Sequence, residues 1–418
     1  MVVMRGWFAA RCLGVIFAVG VAPCTATPLT QQQQLGKALF FDKTLSLNGH
    51  QSCASCHSPS ASFTDPNKSH PTSQGDNLAV FGKRNAPTAG YAAFSPSFHF
   101  DTDQGLWVGG QFLDGRAATL EEQAKAPFVG ALEMENGSRA EVIDRLQNGP
   151  NAGLFTTLYG NSAFDDVDDA YDKLAASIAA YERSPQFSPF TSKYDAYLRG
   201  HFDLNPSEKR GLVVFNDPMK GNCAACHVSS PGPNGQMPLF TDFTYDNIGI
   251  PKNYGSDFLH LAPAFNPDGI DFLDVGLGGT VNDPSLYGAF KVSTLRNIAL
   301  TAPYGHNGYF GSLDEVVDFY ATRDVKPPCI DAQIGAGDAE ALGCWPAAEF
   351  PMTMNIDELG DLPLTDRDKH DLVAFLNTLT DGFDVPEPVT WATLVAGLAL
   401  LGRVRMRRAK RQRPSSID

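Results

Sequence analysis

Apolar residues recur at helical spacing in five stretches of the chain, and long runs rich in glycine, proline and serine separate them. From Gln31 to Phe41, Leu35, Ala38 and Leu39 share one face and the run stops before Asp42, which predicts a short helix. Ser207 to Phe215 repeats that pattern. Asp169 to Glu182 is the clearest helix of the first half, with Tyr171, Leu174, Ile178 and Tyr181 on one stripe. Leu313 to Tyr320 predicts another. Thr365 opens a capping box with Asp368, and Leu372, Phe375, Leu376 and Leu379 continue it as an apolar face. Residues 58–112 and 228–290 lack periodicity and read as long loops. Gly36-Lys37-Ala38-Leu39-Phe40-Phe41-Asp42 and Gly211-Leu212-Val213-Val214-Phe215-Asn216-Asp217 look like two versions of one element, so the chain reads as an internal duplication.

Each version feeds the same short motif. Cys53-Ala54-Ser55-Cys56-His57 and Cys223-Ala224-Ala225-Cys226-His227 lie 170 residues apart. Two cysteines followed by histidine at this spacing are what a covalently attached haem c requires: the sulfurs add to the vinyl groups and the histidine becomes the axial ligand of the iron. A lone C-x-x-C also suits a redox dithiol or half a zinc site, but both copies end in His and no second pair lies close in sequence. Two haems c and one domain around each follow, over residues 27–200 and 201–384.

The termini add an address. Residues 1–26 combine Arg5 and Arg11, an apolar run from Cys12 to Val21 and small residues up to Ala26, the pattern of a cleaved secretory signal. Pro23 before Cys24 makes a lipid anchor there the poorer fit. Residues 385–418 contain Pro386-Glu387-Pro388, an apolar run from Trp391 to Gly402, and seven basic residues from Arg403 to Arg413. The apolar run is short for a bilayer span, and the arginines would hold its end in the cytoplasm. This tail resembles the PEP-CTERM sorting signal of Gram-negative bacteria, which implies an exosortase as a partner and a periplasmic or cell-surface location with at least transient anchoring. Without residues 1–26 and 403–418, 23 basic residues face 46 acidic ones and the net charge falls from −15 to −23. Such a surface repels nucleic acid and draws basic redox partners. In an oxidising compartment Cys329 and Cys344, left over from the haem motifs, are expected to form a disulfide.

Three further segments carry a family resemblance: Gly82-Lys83-Arg84-Asn85-Ala86-Pro87-Thr88, Phe112-Leu113-Asp114-Gly115-Arg116-Ala117 continuing to Glu133-Met134, and Leu295-Arg296-Asn297 through Pro303-Tyr304-Gly305-His306-Asn307-Gly308. Over residues 31–383 the chain resembles the bacterial di-haem cytochrome c peroxidases and the MauG-type enzymes. The resemblance implies a mainly α protein of two cytochrome-c-like haem domains, with the haem sites at and near their interface. The first haem would be peroxidatic and the second an electron relay. By position Glu133 would move the proton during peroxide cleavage, with Gln123 as its polar neighbour. Asn85, Thr301 and Pro303 match the positions that hold a calcium ion, a cation suited by such oxygen donors.

This chain departs from the family in three places. The loop Gln74–Ala79 has no histidine where many of the peroxidases have one to block the first iron, so that iron is expected to be open; His70 is the nearest substitute. Tyr320 stands where the peroxidases place a methionine on the second iron and MauG-type enzymes a tyrosine, with Met352 and Met354 as alternatives. Leu113 replaces the tryptophan between the haems, leaving direct tunnelling or a detour through Trp107. The expected activity is reduction of hydrogen peroxide with electrons from a small cytochrome c or cupredoxin. Its rivals are MauG-like oxidative modification of a protein substrate and non-enzymatic electron transfer.

Overall fold

The computed structural model describes residues 28–385; the expected signal peptide and all of the C-terminal tail beyond Val385 lie outside them. Among the described residues twelve helices run in order: α1 (Gln31–Phe40), α2 (Cys53–Cys56), α3 (Leu120–Val129), α4 (Arg139–Gln147), α5 (Ala152–Tyr159), α6 (Val167–Glu182), α7 (Lys193–Leu198), α8 (Pro206–Asn216), α9 (Leu277–Val281), α10 (Leu313–Thr322), α11 (Ala336–Leu342) and α12 (Asp366–Asn377). Among the described residues strand is confined to two small antiparallel ladders, β1 (His99–Asp101) with β2 (Leu106–Val108) and β3 (Tyr245–Asp246) with β4 (Phe290–Lys291). The five helices expected from periodicity are all present, within a few residues of the expected ends.

Two apolar cores are built alike. In the first, α1 crosses α6 and α3, α4 and α5 complete the packing; in the second, α8 crosses α12 beside α10 and α11. Each crossing is made possible by a glycine. A Cβ on Gly36 would overlap the Ser177 carbonyl oxygen, and one on Gly211 would overlap that of Asp371. Four residues on, Phe40 and Phe215 are both fully buried and stand edge-on to Tyr181 at 5.5 Å and Phe375 at 5.1 Å. Burying each ring contributes about 1.5–3 kcal/mol. Capping boxes start α1 (Thr30 with Gln33), α8 (Asn205 with Glu208) and α12 (Thr365 with Asp368), each worth about 1 kcal/mol. The paired segments Gly36–Asp42 and Gly211–Asp217 thus occupy equivalent places in equivalent crossings.

The two halves are joined by buried charge pairs from the three segments noted above. Arg84 makes a two-pronged bond to Asp274, 2.6 Å on each arm, and an ion pair with Asp114 at 2.6 Å. Arg296, under 2% exposed, grips Asp195 through two bonds of 2.9 Å, donates Nε to the Pro238 carbonyl, and lies under the Tyr91 ring. Removing one partner of such a buried pair costs about 3–5 kcal/mol, because the other charge is left alone. Cys329 and Cys344 form a disulfide across the loop between α10 and α11 and the start of the strap that follows.

Candidate active site

Each C-x-x-C-H stretch follows its crossing helix and forms a tight turn: α2 in the first copy, a 3-10 turn over Cys223–Ala225 in the second. All four sulfurs are thiols held neutral. Burial, the largest cause, pushes each of them up, Cys56, Cys223 and Cys226 to about 12.

The two histidines are set by the same device. His57 Nδ1 lies 3.1 Å from the Phe63 carbonyl oxygen, and His227 Nδ1 lies 2.8 Å from that of Phe240. Both imidazoles are shifted down by burial first, so they are neutral; with Nδ1–H donated, Nε2 keeps its lone pair. This is the state an axial iron ligand needs, and the carbonyl fixes the ring's orientation. Phe63 (φ 60°) and Phe240 (φ 55°) adopt left-handed backbone, an uncommon conformation for bulky residues that is tolerated where the surroundings impose it. No local sequence signal marks these acceptors, since any residue supplies a carbonyl.

Opposite the first motif the turn after α3 delivers Glu133. Its carboxylate lies close enough to Cys53 and Cys56 to raise both thiols, and desolvation raises its own titration, opposed by Arg116. By surface area the residue is exposed, and its side chain has no hydrogen-bond partner among the described residues. Gln123 stands half-buried on α3, ten residues earlier, and no bond joins it to Glu133. Glu182, at the end of α6 beside Cys53, is a second buried carboxyl, pushed up to about 8 by burial.

The loop Gln74–Ala79 is fastened to both sides of this cleft. Asp76, fully buried, accepts bonds from Ser46 Oγ (2.7 Å) and from the backbone N–H of Asn48 (2.5 Å), His50 (2.8 Å) and Gln51 (3.2 Å), just before Cys53. Its own N–H donates to the Glu133 carbonyl at 2.7 Å. Sequence reasoning passed over Asp76, because its partners lie 25 to 30 residues away and only the folded loop gathers them. His70 is turned elsewhere: Nδ1 pairs with Asp257 at 2.8 Å and the ring lies on Phe81.

The second motif opens into a cavity of about 360 Å³, lined by Cys223, Cys226, His227, Leu113, Lys291 and Tyr320 among others. The Tyr320 hydroxyl is raised by burial first, then by Cys223, Asp246 and Cys226, so the structure brings it to the second motif. Met352 is 94% exposed and Met354 packs against Gly249; neither lines the cavity. Lys291 Nζ donates to the Gly110 carbonyl, and burial lowers its amine to about 8. Asn85, Thr301 and Pro303 come together on the wall of the same cavity, with Asn85 Nδ2 2.6 Å from the Pro303 carbonyl oxygen. As placed, Asn85 donates to the Pro303 carbonyl and Thr301 Oγ1 to that of Ile298; a cation here would require the Asn85 amide turned over to present Oδ1.

Two neutral histidines, each paired with two thiols and each fixed by a backbone carbonyl, define a two-site c-type haem protein. The family model "Di-haem cytochrome c peroxidase" matches residues 30–203. The chain is 40% identical to the methylamine utilization protein MauG of Paracoccus denitrificans, over 83% of this chain and 88% of that one. It is 30% identical to the cytochrome c551 peroxidase of Pseudomonas aeruginosa, over 77% and 82%. The crystal structure of the diheme peroxidase BthA from Burkholderia thailandensis superposes with a TM-score of 0.74 at 31% identity, covering 86% of this chain and 88% of that one. The chain belongs to the di-haem cytochrome c peroxidase and MauG family, and it is an oxidoreductase of the peroxidase type whose family cofactors are haems c.

Proposed function

We propose that the chain cleaves hydrogen peroxide at the first motif and draws the electrons through the second from a small cytochrome c or cupredoxin. Cys53, Cys56 and His57 would hold one haem c, and Cys223, Cys226, His227 and Tyr320 the other. When bound, the haems supply the redox-active iron and its Lewis acidity. The observation that carries the reading is Glu133: an unbonded carboxyl close enough to Cys53 and Cys56 to raise both thiols, with no histidine on the adjoining loop and His70 tied to Asp257. Glu133 takes the proton from the inner oxygen of the peroxide and returns it to the outer one, which leaves as water; Gln123 is the polar neighbour assigned to hold the peroxide. Burial raises the carboxyl's titration and the nearby Arg116 charge opposes that rise. Asn85, Thr301 and Pro303 are assigned a calcium ion that ties the two halves together.

Glu133→Gln keeps the shape and removes the base, so peroxide cleavage should slow by about 10²–10⁴-fold. Peroxide binding should change little, and the resting ferric first haem should be high-spin. A wild-type rate in the variant, or a low-spin first haem with His70 bound, would leave the electron-carrier reading in its place. Tyr320 favours a second reading, in which the electrons come from the side chains of a partner protein, as a phenolate ligand suits ferric and higher oxidation states. We also assign the chain to the exported fraction, cut after Ala26 and processed at Pro386-Glu387-Pro388. Intact-mass measurement of the native protein should show Arg413 gone.

A further inference from the structure

Among the described residues tryptophan stands at two places, and their surroundings differ. Trp345 is 3% exposed in the second core, donates Nε1 to Thr322 Oγ1 at 3.0 Å, and has Lys326 Nζ 4.9 Å from its ring centre. A cation on the ring face stabilises the electron-rich indole and opposes loss of an electron. Trp107, on β2, is half-buried, with no cation over its ring among the described residues. Its ring stacks on Phe98, centroids 4.8 Å apart and planes within 9°, and Phe98 stands edge-on to Tyr245 at 6.0 Å. Tyr245 is followed directly by Asp246, which lines the second cavity. The Phe98 ring also fills the space over Gly115 (φ 73°), where a Cβ would meet both that ring and the Tyr245 hydroxyl at 2.5 Å. The stack therefore abuts the segment that carries Leu113. On its outer side Trp107 pairs with Phe100, rings 5.3 Å apart, and Phe100 and Leu106 are 46% and 45% exposed.

We propose that Trp107 is the redox-active side chain through which oxidising equivalents, generated from peroxide at the haem sites, reach the protein surface. One electron leaves the indole for the oxidised site behind Tyr245, and the indole N–H proton passes to water at the half-exposed hairpin. A one-electron donor outside the protein then returns the electron and water returns the proton. Phe98 is a bridge only, since a benzene ring has no accessible oxidised state here. Tyr245 does not hold the hole: its hydroxyl donates to the Gly109 carbonyl, which cannot take its proton. Leu113 cannot hold it either; Trp345 also lies one ring from the second cavity, through Phe310 at 6.3 Å, but the Lys326 cation over its ring disfavours its oxidation, which leaves Trp107 to carry the hole.

The inference rests on the peroxidase reading, and the test separates the two. The holoenzyme is given a small excess of peroxide without reductant; peroxide loss is followed, and tryptophan peptides are mapped by mass spectrometry. Peptides carrying Trp107 should gain one or two oxygens about tenfold more than those carrying Trp345. Cyanide, which occupies an open iron, should abolish the gain. An indole radical signal frozen at early times should vanish in Trp107→Phe, which keeps the stacked ring. Peroxide loss with Trp107 no more modified than Trp345, modification that persists in cyanide, or a radical unchanged in the variant would each overturn the inference. No peroxide loss at all would instead overturn the peroxidase reading and the inference with it.

Discussion

Replacing Asp76 tests whether the loop in front of the first motif is held as the structure shows. Burial alone would raise this carboxyl, but the bonds from Ser46, Asn48 and His50 outweigh it and hold it below the usual carboxylate range. Asp76→Ala strips the acceptor from three backbone N–H groups and one hydroxyl. A buried donor left without a partner costs about 1–3 kcal/mol. Asn48 and His50 are exposed enough for water to satisfy part of the deficit, so the loop should lose about 2–4 kcal/mol of local stability. That is a 30- to 1,000-fold rise in opening, roughly, at tenfold per 1.4 kcal/mol. Amide exchange of His50 and Gln51 at neutral pH reads it directly. Asp76→Asn keeps one acceptor but turns an N–H₂ group toward a backbone donor, and about half the loss is expected. The sign of the pH dependence follows from the depressed titration. The stabilisation is complete above the unfolded value, about 3.9, and fades as pH falls through the lower folded one, so wild type and Asp76→Asn should converge below about pH 4. Exchange in Asp76→Ala within threefold of wild type, or a wild-type advantage unchanged at low pH, would refute the clamp.

Because burial raises Glu133, its base form should be lost at a pH above the ordinary carboxylate value of 4.5; the acid limb of the peroxide rate should sit there and disappear in Glu133→Gln. Tyr320→Phe removes the anionic donor assigned to the second iron, so the low-spin spectrum should change and that haem's reduction potential rise; an unchanged spectrum would point away from Tyr320. If Asn85, Thr301 and Pro303 hold calcium, chelation should lower the melting temperature and added calcium restore it, whereas Asn85→Ala should respond to neither.

What could be read in the sequence was whatever rests on local periodicity or on a motif. The crossing helices show because Leu35 and Leu39, or Leu372 and Phe375, repeat at helical spacing, and the cofactor-holding turns show because their spacing is covalent chemistry. Gly36 and Gly211 were visible as a repeated sequence, but their reason, a partner carbonyl at van der Waals overlap with any Cβ, belongs to the crossing. The hairpin of β1 and β2 falls within a stretch read as loop, for three-residue strands leave too short an alternation to detect. Asp76, the carbonyls of Phe63 and Phe240, and the meeting of Arg84 with Asp274 are contacts across long chain separations, and no spacing rule anticipates them.

The duplication also explains why the two clefts agree on one side and differ on the other. The side that holds the cofactor comes from the repeated unit: crossing helix, C-x-x-C-H turn, histidine, and a left-handed phenylalanine whose carbonyl takes the Nδ1 proton. The opposite sides come from chain with no counterpart in the other copy. In the first, the turn after α3 and the loop pinned by Asp76 bring the Glu133 carboxyl and no histidine. In the second, α10 brings the Tyr320 phenol to the same side of the cavity, where a side-chain ligand competes with any incoming reactant. The proposed division, chemistry at the first site and electron handling at the second, rests on that asymmetry, and with aliphatic Leu113 on the wall of the second cavity the aromatic stack from Tyr245 to Trp107 becomes the more consequential departure from the family pattern.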